Sequence, residues 1–180
     1  MNIKKFLPVF LVAVLFCIPT NASNTDPIKD QTKNTIVAVA ASNDAFTTLV
    51  AAVKAAGLVD VLNSDGPFTV FAPVNDAFNK LPEGTVATLL KPENKKLLTS
   101  ILTYHVVAGK FSASAVVKAI KANNGAFVIT TVQGGKLTAS LKGSNVILTD
   151  AKGNVSTVVI ADVAASNGIV HAIDTVVMPE

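Results

Sequence analysis

His171 and Asp174 are where acid–base chemistry would be sought first, an imidazole and a carboxylate three positions apart in the run Asn167-Gly168-Ile169-Val170-His171-Ala172-Ile173-Asp174. A working pair needs the two side chains within hydrogen-bond reach. The run reads as a strand, where successive side chains alternate faces, so an odd spacing sends the two groups to opposite sides. The same parity separates Tyr104 from His105 if Tyr104-His105-Val106-Val107 is a short strand. These are the only 2 histidines and the single cysteine is Cys17, so a zinc site would need both rings plus distant carboxylates, with no ligand spacing in support. No serine sits in a nucleophile elbow. Gly134-Gly135 lacks the helix start and Lys-Ser/Thr of a phosphate cradle, and the 12 acids show no convergence of a glycoside-cleaving kind. The sequence therefore assigns no catalytic residue, no metal ligand and no cofactor. In so apolar a run, His171 and Asp174 must each find a polar partner or remain at an accessible edge. The residues by themselves read both histidines as rings bonded to backbone, with surface recognition as the sharper alternative. Tyr104 reads as a buried ring with a partnered hydroxyl, and Asn75-Asp76 as helix caps.

The elements that must position these groups are legible from periodicity. A short helical segment at 35–40 is followed by Ser42-Asn43-Asp44, which can cap a second helix. Phe46, Leu49, Val50 and Val53 form its apolar stripe, and Gly57 is its left-handed end. Phe68-Thr69-Val70-Phe71-Ala72-Pro73 has the β-branched and aromatic content of a strand, ended by a proline that cannot donate to a ladder. Short helices follow at 77–81 and 85–90. Pro92-Glu93 opens another, with Leu97, Leu98, Ile101 and Leu102 facing inward. Ser112 or Ser114 can cap a helix running to Ile120. From there the period changes to strand-like runs at 127–132, 136–141, 145–149, 155–164 and 169–178, each separated by turn residues. Helices concentrated in the first half and hairpins in the second predict an α+β fold with a largely antiparallel sheet in one domain.

Composition narrows the partners. Of 180 residues, positions 1–22 read as an export signal, with Lys4 and Lys5 preceding the apolar stretch 6–18 and Thr20-Asn21-Ala22 at the cleavage site. That stretch is shorter than the roughly 20 residues a membrane span requires. A polar linker at 23–33 precedes the domain at 34–180. The expected form is therefore exported, to the periplasm, the cell surface or the medium, with no transmembrane anchor. Beyond Cys17 there is no thiol, which excludes disulfide staples from the domain. The net charge of +3 falls to +1 once Lys4 and Lys5 are removed, and the chain has no arginine, no tryptophan and 1 tyrosine. Bidentate phosphate or guanine readers and stacking platforms are missing, so nucleic acid is excluded as a partner.

Three ordered signatures carry a resemblance: Phe68-Thr69-Val70-Phe71-Ala72-Pro73-Val74-Asn75-Asp76-Ala77-Phe78, then Tyr104-His105-Val106-Val107, then Asn167-Gly168-Ile169-Val170-His171-Ala172-Ile173-Asp174. Together they resemble the fasciclin-type adhesion domain over residues 34–179. The resemblance implies helices packed on a β-wedge or sandwich, no enzymatic activity, no cofactor, and contacts with a cell-surface or matrix protein or glycan. In animal relatives integrin recognition is attributed to the Tyr-His region and to an Asp-Ile pair. The corresponding positions here are Tyr104, His105, Asp162 and Val163, valine replacing isoleucine. A monomer or weak oligomer is expected, its attachment strengthened by many copies. A second expectation of a different class is a carrier holding a small apolar ligand or glycan between the helical and β layers.

Overall fold

In the computed structural model, residues 34–179 are described, and the expected export signal at 1–22 and the expected linker at 23–33 lie outside them. Thr35 caps α1 (Ile36–Ala41) through its side chain, and Asn43 caps a single 3-10 turn that leads into α2 (Thr47–Ala56). Gly57 ends α2 at φ +72°, and Leu58 N–H reaches back to the Val53 carbonyl at 3.1 Å, the Schellman arrangement that only a left-handed residue permits cheaply. Then come α3 (Val59–Asn63), β1 (Phe68–Pro73), α4 (Asn75–Asn79), α5 (Thr85–Leu89) and α6 (Lys95–Tyr104). β2 (Val106–Ala108) and α7 (Ala113–Ala122) precede β3 (Ala126–Thr130), β4 (Lys136–Lys142), β5 (Asn145–Thr149), β6 (Val155–Ala165) and β7 (Gly168–Ile173).

The seven strands lie in the order β2-β1-β7-β6-β5-β4-β3. All pairings are antiparallel except β1 with β7, which runs parallel from Phe68↔Gly168 to Pro73↔Ile173. The parallel pair is covered on both faces, which is why both strands read as apolar runs. Val70, Ala72, Val170 and Ala172 face a cluster built with α1 to α6, whereas Phe71 and Ile173 face a second cluster with α7 and β3 to β5. Gly168 lies where a Cβ would collide with the Phe68 carbonyl, so the close approach of β7 to β1 requires glycine.

The longest strand, β6, joins the two halves. Its first residues pair with β5 up to Thr157↔Ile147, and from Val158 onward it pairs with β7 alone, with register shifts between Val158 and Ile160 and between Ile160 and Val163. Beyond Thr157 the two strands no longer pair, and the open end of that ladder is the wedge.

Four expectations are corrected. Tyr104-His105 is not strand: Tyr104 is the last residue of α6 and His105 its C-cap, with Val106 starting β2. The final strand stops at Ile173, so Asp174 lies beyond it and the parity argument does not apply to the pair. Leu97 points outward at 52% exposure, because α6 begins at Lys95 and its buried stripe runs through Leu98, Ile101 and Leu102. Asn75 does not cap its own helix, where Val74 takes that place; its Oδ1 accepts from Thr48 N–H at 3.1 Å and so caps α2 from another element.

Candidate functional site

The Tyr-His pair is interior. Tyr104 is fully buried, and its hydroxyl donates to the Lys136 carbonyl at 2.6 Å and accepts from Ala151 N–H at 3.2 Å. His105 is 2% exposed; Nδ1–H donates to the Ile101 carbonyl at 2.8 Å and Nε2 accepts from Val177 N–H at 3.3 Å. Those roles are forced, because a carbonyl only accepts and an amide only donates. Burial lowers the His105 pKa to about 4, against the opposing pulls of the Ile101 carbonyl and the Asp150 charge. Neither side chain can touch a partner while the domain is folded.

Asp162 is the opposite case. It is exposed and sits in the irregular stretch of β6 with φ +59°, a left-handed conformation that Asp tolerates better than most residues. Its amide donates to His171 Nδ1 at 3.2 Å, and its Oδ1 accepts from Ala113 N–H at 2.8 Å at the first turn of α7. The carboxylate thus joins β6 to a helix start, where negative charge is favoured. Val163, the next residue, is half-buried against the first core cluster and pairs with Val170.

His171 holds this bulge from below. It is 2% exposed, its Nε2–H donates to the Phe111 carbonyl at 2.8 Å, and its ring stacks on Phe71 with centroids 5.7 Å apart. Phe71 N–H in turn donates to the His105 carbonyl at 2.9 Å. The sequence-named residues are therefore connected in a row, His105 to Phe71 to His171 to Asp162, although Asp162 is the only one of the four with an exposed side chain. Phe111 is itself fixed by Thr69, whose hydroxyl accepts from Phe111 N–H and donates to the Gly109 carbonyl.

Asp174 belongs to a separate cluster. Its carboxylate accepts from Thr157 N–H at 2.7 Å and pairs with Lys80 at 3.3 Å. Partial burial raises its pKa, but the Thr157 amide, Lys80 and the Thr175 hydroxyl outweigh it and hold the carboxyl below its usual value. It shares no hydrogen-bond partner with His171, so the two form no dyad. Asn167 ties its turn to α1 and to the end of α3, accepting from Ile36 N–H and donating to the Leu62 and Ser64 carbonyls. Asp76 accepts a long bond from Asn79 Nδ2, at 3.4 Å, and Ala77 beside it is fully buried while Phe78 packs at the core's edge.

Asp150, in the turn between β5 and β6, is 6% exposed and accepts from the amides of Lys152, Asn154 and Met178. The spacing Asp150-Ala151-Lys152-Gly153-Asn154 signals such a turn; its grip on the C-terminal segment is a tertiary contact without a local signature. Among the described residues, no group of three or more His, Cys, Asp or Glu is placed to hold a metal ion, and no helix is long and apolar enough to cross a membrane.

A fasciclin domain family model matches residues 44–179. The chain is 52% identical over 145 residues to protein sll1483 of Synechocystis sp., an alignment covering 81% of this chain and 73% of that one. It is 46% identical over 149 residues to immunogenic protein MPB70 of Mycobacterium bovis, covering 79% and 68% respectively. Among solved structures, the FAS1 domain pair of the insect cell adhesion molecule fasciclin I superposes with a TM-score of 0.59 at 26% identity, covering 76% of this chain. The chain spans about half of that pair, 46% of its length.

Proposed function

The chain belongs to the fasciclin domain family, and from that premise we propose that it is an exported, non-enzymatic adhesion module that contacts a cell-surface or matrix protein or glycan through the exposed bulge around Asp162. The observation that carries this reading is the fixed presentation of Asp162. Its left-handed backbone, its bond to the buried His171 and its bond to α7 hold a carboxylate outward on a rigid mount, and a group already ordered loses little entropy on binding. Family relationship adds to it: the insect relative is named as a cell adhesion molecule.

Tyr104 and His105 enter the reading differently from the resemblance. Being buried, they serve as positioning residues: Tyr104 joins α6 to β4, and the His105 carbonyl anchors Phe71, on which His171 stacks. Asp162 is the contact residue, and Val163 anchors the bulge beneath it. One small patch makes a weak interface, so attachment depends on many copies at a surface.

The test is attachment of producer cells, and separately of animal cells, to a surface coated with the purified protein, with heat-unfolded protein as control. Attachment that depends on the fold supports the reading. Equal attachment to the unfolded coat, or none to either, refutes it.

A further inference from the structure

The wedge between β5 and β6 contains a cavity of about 220 Å³. Its position follows from the topology: β5 and β6 part company after Ile147↔Thr157, and α7 lies across the gap without closing it. The walls are Val116 and Val117 of α7, Val146 of β5, and Val158 and Val159 of β6, and the floor is the stacked Phe71–His171 pair. At the mouth stand Ser144 and Asn145, both exposed and neither side chain in a hydrogen bond within the described domain. This combination of apolar walls with a few convergent polar groups at one end is that of a small-molecule site.

We infer that this cavity binds a small, neutral, predominantly apolar molecule whose hydroxyl or carbonyl end meets Ser144 and Asn145. Size sets the class: at roughly 30 Å³ per water, the space takes a molecule of about seven to ten non-hydrogen atoms. Charge narrows it. No lysine lines the cavity, and both ring nitrogens of His171 are already engaged by Asp162 and Phe111. A carboxylate would therefore lose its hydration with no cation to receive it. A second apolar void, beside His105, measures about 30 Å³ and is too small for any such ligand. The inference does not rest on the adhesion reading: Asp162 does not line the cavity, although His171, which accepts from its amide, forms part of the floor.

The experiment follows the valine methyl resonances of the full chain by NMR while 1-hexanol, benzyl alcohol or hexanoate is added. The expected result is saturable shifts confined to Val116, Val117, Val146, Val158 and Val159, with hexanoate binding at least about tenfold more weakly than hexanol. Val159→Phe, at a side chain 54% exposed, fills the cavity without burdening the core and should weaken hexanol binding at least about tenfold. Val117→Phe does the same from the helix side and replaces it if the first variant does not fold. Shifts that never saturate, that spread equally to the exposed Val61 and Val128, that persist unchanged in the filled variant, or that are as strong with hexanoate overturn the inference.

Discussion

The amide of Asp162 donates to Nδ1 of His171 at 3.2 Å, so an exposed carboxylate and a buried ring are held by one bond across the β6–β7 pair. The bond exists because β6 departs from regular register at this point, which turns the residue's amide inward while its side chain caps α7. Removing the ring leaves both the Asp162 amide and the Phe111 carbonyl without their partner. His171→Ala should lower stability by about 1–3 kcal/mol, the range for unsatisfied buried groups, read from the denaturation midpoint. It should also speed hydrogen exchange at the Asp162 amide more than at Val170.

Substitutions at Asp162 separate backbone from charge. Asn keeps both the capping oxygen and the tolerance of positive φ, so Asp162→Asn should stay within about 1 kcal/mol of the parent protein. Asp162→Val puts a branched side chain at φ +59° and removes the cap. It should cost roughly 2–3 kcal/mol, measured by chemical denaturation.

Acid should weaken the fold in a defined window through His105. The ring titrates near 6.5 when unfolded and at about 4 in the native state, so between these values the unfolded chain binds more protons. The stability associated with the neutral ring is complete above pH 6.5 and declines by roughly 3 kcal/mol as pH falls to about 4. Asp174, whose native carboxyl is held below 3.8, adds a further loss only below that value. Denaturation midpoints between pH 7 and 4 check the first part, and His105→Gln should flatten the slope there.

Gly168→Ala tests the parallel pair at the centre of the sheet. The added methyl meets the Phe68 carbonyl backbone and Ile36 Cδ1, the latter at 2.8 Å. Backbone on that side cannot yield without separating β7 from β1, so a loss of roughly 3 kcal/mol or failure to fold is expected, seen as loss of the cooperative transition.

Much of the architecture was legible because it rests on local signals. The stripe of Leu49, Val50 and Val53, the Gly57 terminus and the strand from Phe68 to Pro73 occur where periodicity put them, whereas Phe46 and the Asn43 cap belong to the 3-10 turn before α2. The turn residues likewise divided the five later strands. What local pattern could not supply was the partner of each element. That β1 and β7 pair in parallel joins residues about a hundred positions apart. Tyr104 looked like strand because Val106-Val107 follows it, yet the apolar stripe of α6 carries the helix to that residue. The lining of the cavity has no local signature, because Val116, Val146 and Val158 come from three separate elements and meet only where the β5–β6 ladder ends.

The central claim is that the mounted carboxylate of Asp162 is the adhesive contact. The most direct measurement compares cell attachment to surfaces coated equally with the parent protein and with Asp162→Asn, after matching denaturation midpoints establish that both are folded. Attachment to the Asn variant should fall to the level of heat-unfolded protein. Attachment equal to the parent's would contradict the claim and place the contact elsewhere on the domain.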